Sequence, residues 1–130
     1  MSKKYKPRWF SSPFQHLKYT LIRDLKQCKK LGFEKELISL PSGANATTNF
    51  ICNEDDTNLR VVVFIPYADV PVISQQGLVI HEAVHIWQEI KIMMREKEPS
   101  IEFEAYSIQR IAQDLLYLLE MPNGLEKRTE

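Results

Sequence analysis

The chain has 130 residues, a balanced formal charge and two cysteines. That is long enough to bury a core without disulfide staples, so a single domain spanning 1–130 is the economical reading. No apolar run approaches the length of a bilayer span, and the basic start at Lys3, Lys4, Lys6 and Arg8 is not followed by the apolar stretch of a secretory signal; a cytoplasmic protein without membrane contact is expected. The neutral total hides an asymmetry. Residues 1–31 carry nine Lys or Arg against Asp24 alone, and the rest carries eight basic against sixteen acidic residues. Such a basic segment is either a nucleic-acid-binding face, with Lys26, Lys29 and Lys30 as its contacts, or a solvated surface neutralised by the remainder of the chain. Cys28 and Cys52 lack CxxC spacing and read as reduced, packed thiols.

Residues 1–11 form an irregular lead-in that Trp9 and Phe10 anchor. A helix is predicted from Ser12 as N-cap, with Pro13 at the first helical position and Gln15 completing a capping box. Phe14, Leu17, Leu21, Ile22, Leu25 and Cys28 recur at helical spacing, and Gly32 ends the run. His16, alone beside this stripe, is not enlisted as a ligand. Strands are predicted at 37–40, at 47–52 and, most strongly, at 59–65. The last two are joined by a polar turn at 53–58 and read as a β-hairpin. Pro66 and Pro71 then break the sheet.

A long helix follows, from after Ser74 to about Lys97, and it carries His81-Glu82-Ala83-Val84-His85, an HExxH motif. On a helix the two histidines lie about 40° apart around the axis and one turn apart along it, so both rings reach one point. Zinc suits imidazole nitrogen, and Glu82 stands beside the ligands as a general base for a water. By itself the motif is short enough to arise by chance. Its surroundings give it weight: Leu78, Val79, Ile80, Ala83, Val84, Ile86 and Trp87 place three polar residues in an apolar stretch, and such residues need a reason.

A catalytic zinc usually has three protein ligands, with the fourth position left to water. No third histidine follows downstream. The last helix, from Ser100 to near Glu120, offers Glu102 and Glu104. Glu102 shares a small, polar strip with Ala105, Tyr106, Gln109 and Gln113, whereas Glu104 points toward the side of Ile108, Ile111 and Leu115. Glu102 is therefore the expected ligand, with Tyr106 and Gln109 near enough to assist it. The acidic first turn also has a plain explanation in the helix dipole. Residues 125–130 read as a frayed polar tail.

HEAVH followed by a helix bearing Glu-x-x-Ala-Tyr resembles the gluzincin metallopeptidases. The segment Glu102–Tyr106 is similar to the Glu-x-x-Ala-Asp signature of the CaaX prenyl protease family, with Tyr106 where that family has aspartate. The short chain looks most like minigluzincins and the small metallopeptidase-like proteins of bacteriophage genomes. The likeness covers residues 59–120, with specific motifs at 81–85 and 102–106. It implies an α+β, zincin-like domain: an N-terminal helix, a small antiparallel sheet, the HExxH helix and a glutamate helix. It further implies one zinc on His81, His85 and Glu102, Glu82 as general base, and a peptide or protein substrate beside an edge strand formed by Leu59, Val61, Val63 and Ile65. It supplies no transition-state stabiliser; Tyr106, Tyr67 and Arg110 are the candidates in this chain. The rival expectation is a zinc-stabilised binding module without catalysis.

Overall fold

A computed structural model of the chain describes residues 5–13, 16–40, 43–52 and 59–121. The elements run β1 (Phe10–Ser11), β2 (Leu17–Ile22), α1 (Cys28–Leu31), β3 (Thr47–Cys52), β4 (Leu59–Phe64), α2 (Val72–Met94) and α3 (Ile101–Glu120). The domain is α+β, as expected. The predicted lead-in at 1–11 is described from Tyr5 on and already contains β1. The turn at 53–58 and the tail at 125–130 lie outside the described residues, as do Phe14 and Gln15.

The predicted N-terminal helix is corrected: its middle is strand β2. Leu17, Leu21 and Ile22 fit a helical stripe, but Leu17, Tyr19 and Leu21 also alternate, and short apolar runs carry both periods at once. Pairing decides between them. β2 lies parallel to β4 in continuous register from Leu17 opposite Leu59 to Ile22 opposite Phe64. Ser12, expected as an N-cap, instead accepts the Leu17 N–H on its hydroxyl at 3.1 Å and ties β1 to β2. The cap belongs to Asp24, which forms a capping box with Gln27 ahead of the short α1. Gly32 does end that helix, in the left-handed conformation at φ 86°. The predicted strand at 37–40 is absent; a 3₁₀ turn occupies Lys35–Leu37.

The sheet has the order β1-β2-β4-β3 and is mixed, not wholly antiparallel. The β3–β4 hairpin pairing is as expected, with Thr47 opposite Phe64 and Cys52 opposite Leu59. The expected edge strand is corrected with it. β4 is internal, because β2 covers the side that a helix would have left free, and Val61, Val62 and Val63 are fully buried. Among the described residues the edge beside the long helix belongs to β3.

Alternation sorts the strands onto two cores. Leu17, Tyr19, Leu21, Val61, Val63 and Ile65 face α2 and α3. Ile22, Ile51, Val62 and Phe64 face the segment carrying Cys28, Leu31 and Ile38. Val79, Ala83, Ile86, Trp87 and Ile90 form the inward stripe of α2, which continues to Met94 and ends in a left-handed Arg95. Ser100 caps α3 by accepting the Phe103 N–H. No helix among the described residues is long and apolar enough to cross a membrane.

Glu104 joins the two long helices. Its carboxylate accepts the Trp87 indole N–H at 2.8 Å and lies 3.6 Å from the Lys91 ammonium, and these contacts, the indole first, hold its pKa below the ordinary carboxylate value. A lowered folded-state pKa adds stability above the unfolded value that is lost as the pH falls through the folded one. Glu104→Gln should therefore lower the thermal midpoint at neutral pH, with the difference from wild type closing as the pH drops below about 4. Melting curves across that range check this; a difference independent of pH would contradict it.

Candidate metal centre

α2 carries the site because its sequence makes two faces. The apolar stripe turns inward, and His81, His85 and Gln88, which fall off that stripe, are exposed. The two imidazole Nε2 atoms stand 3.2 Å apart, with ring centroids 4.8 Å apart at 78°. Two nitrogens about 2.05 Å from a tetrahedral zinc lie about 3.3 Å from each other, so the pair already has the spacing of two zinc ligands. The His85 Nδ1 is 3.2 Å from the Gln88 amide oxygen. With Nδ1 donating to that oxygen, the Nε2 of His85 is an acceptor, and the 3.2 Å contact fits either a hydrogen bond from a His81 Nε2–H or two ligands about one cation.

Glu82 lies between this pair and the sheet. It is 5% exposed, and its Oε1 accepts a hydrogen bond from the Thr48 hydroxyl at 2.5 Å. Thr48 sits on β3, and strand alternation puts Phe50 and Cys52 on the same side of that strand, both exposed. α2 thus packs beside β3, an edge strand among the described residues, and the Glu82–Thr48 bond joins the two.

The other expected site residues are elsewhere. Glu102 is exposed and makes no hydrogen bond or ion pair among the described residues. The first turn of α3 is seated on α2 through Glu104, Trp87 and Lys91. On a helix, Trp87 projects about 160° away from His85 and about 120° away from His81. Among the described residues no group of three or more His, Cys, Asp and Glu side chains converges. Tyr106 and Gln109 are exposed on α3. Tyr67 lies over the Arg23 guanidinium at 4.4 Å, and the Arg110 Nε lies 3.9 Å from Asp114. His16 is 3.3 Å from the Pro13 carbonyl, outside the site. What the structure brings together is His81, His85, Glu82, Thr48 and Gln88.

The chain matches no family model, no curated protein and no solved structure.

Sequence reasoning did not find Thr48 or Gln88. A threonine inside a strand carries no motif, and its role depends on which strand is the edge. Gln88 is three residues after His85, a spacing that places two side chains on one helix face, so it was open to inference. If the two imidazoles hold zinc, His81→Ala or His85→Ala should abolish stoichiometric binding. Gln88→Ala should retain it with affinity lowered about 10- to 100-fold. Competition with a chromophoric chelator measures both, and unchanged affinity in Gln88→Ala would remove it from the site.

Proposed function

We propose that this protein is a zinc-dependent peptidase built on His81, Glu82 and His85. The observation that carries the reading is the 3.2 Å approach of the two Nε2 atoms beside a buried glutamate that is tied to a sheet edge. Two donors of the set fit zinc in type and spacing. Glu102 enters the proposal as third ligand on the sequence pattern alone. The chemistry that a bound zinc supplies is Lewis acidity toward a water and toward a carbonyl oxygen.

The chain's own residues supply the rest. Glu82 takes the proton from the attacking water and passes it to the leaving amine. The Thr48 hydroxyl occupies one oxygen of that carboxylate and holds its plane, leaving the other oxygen for the water. β3, an edge strand among the described residues, offers main-chain groups to which an extended peptide adds as a further strand. The substrate class is accordingly a peptide or an unfolded protein segment.

A second reading, a zinc-stabilised binding module, is favoured by one observation: Glu102 is exposed and away from the histidine pair. The base separates the two. Protein purified without chelator should contain one zinc per chain; Glu102→Ala should lose it and Glu82→Gln should keep it. Cleavage of a broad peptide library should fall about 10²- to 10⁴-fold in Glu82→Gln. Metal-replete wild type that cleaves nothing in the library would favour the binding module, and zinc-free protein at neutral pH would remove both readings.

A further inference from the structure

Across α2 from the histidines lies a buried cation with no counterion among the described residues. Arg23 follows the last residue of β2 and is 6% exposed. Its Nε donates to the Ile65 carbonyl at 2.6 Å, its Nη2 donates to the Gln75 amide oxygen at 2.7 Å, and the Tyr67 ring covers its face. All three partners are neutral. Among the described residues no carboxylate pairs with it, and three of its five N–H groups have no protein acceptor. Burial without a counterion lowers the guanidinium pKa and is unfavourable for any charge.

Arg23 also lines a groove of about 580 Å³ between the first turns of α2 and the last turns of α3. The start of α2 adds to its positive character. Its N-cap is Pro71, which offers no side-chain acceptor, and its first turn holds no acidic residue. The positive end of the helix dipole and the guanidinium thus act on the same space. Val72, Leu116 and Leu119 give the groove an apolar wall, and Gln76 and Gln113 offer amides. Glu120, exposed, also borders it. By helical geometry Val72 and Gln76 project about 140° to 180° away from the histidine pair, so the groove is separate from the metal centre.

We propose that this groove binds a small organic monocarboxylate, its head group on Arg23 and its apolar substituent against Val72, Leu116 and Leu119. The guanidinium fork matches a carboxylate, the apolar wall selects a hydrocarbon substituent over an inorganic anion, and Glu120 disfavours a second negative charge. The proposal is independent of the peptidase reading.

Titration of the full chain with 3-methylbutanoate, followed by NMR of the glutamine side-chain amides and by calorimetry, tests it. Saturable binding in the millimolar range or tighter is expected, with shifts at Gln75, Gln76 and Gln113. The neutral amide analogue and inorganic phosphate should each bind about tenfold more weakly or worse. Arg23→Gln should abolish binding. Because that variant removes a buried group and can fail to fold, Gln113→Glu on the exposed face of α3 serves beside it: its melting midpoint should be unchanged and its affinity about tenfold lower. Equal binding of the amide, equal binding of phosphate, unchanged affinity in folded Gln113→Glu, or no saturation in the millimolar range would each overturn the proposal.

Discussion

Glu82 is a carboxylate on the inward side of a helix whose other inward residues are apolar, and the Thr48 hydroxyl is its partner across the gap to the sheet. A buried acid without a partner is strongly unfavourable, so this bond constrains more than one side chain. It fixes which strand lies beside α2 and how far the helix is turned. With Glu82 aimed at β3, His81 and His85 of the HExxH motif are turned to the exposed face of α2, where the two imidazoles meet. Glu82, the proposed general base, and the edge strand are then neighbours by construction.

That arrangement depends in turn on the parallel pairing of β2 with β4. Without β2, β4 would be an edge strand and β3 would have no special position. With it, the Val61–Val63 run is covered on both faces and both edges, and the exposed main chain passes to β3. The apolar character of the Leu59–Phe64 run reflects its place at the centre of the sheet, where parallel pairing and two cores leave no solvated face.

Much of this was legible in the sequence. The two long helices and the hairpin showed because each has a single dominant period and clear punctuation, as at Ser100 for α3. The helical spacing of the motif at 81–85 placed the two histidines on one face of α2. β2 was not legible, since Leu17, Leu21 and Ile22 satisfy a helix and a strand alike and the deciding partner lies some forty residues away in the chain. The edge assignment failed with it, being a property of sheet order and not of local sequence. Glu104 and Glu102 separated as helical spacing suggested, with Glu104 on the side of Ile111 and Leu115; its attachment to Trp87 and Lys91 required the tertiary packing. The charge asymmetry resolves similarly. Arg8 lies over the Phe10 and Tyr117 rings, and Arg23 is buried, so the first segment spends part of its charge internally. Lys18, Lys26, Lys29 and Lys30 remain exposed as the surface on which the nucleic-acid expectation rests.

His81 and His85 are proposed to hold one zinc through their Nε2 atoms. X-ray absorption at the zinc edge of the purified, metal-replete protein tests it most directly. The account predicts one zinc per chain with two imidazoles in its coordination shell, both lost in the double variant His81→Ala/His85→Ala. A shell without imidazole scattering, or zinc retained unchanged in that variant, would contradict it.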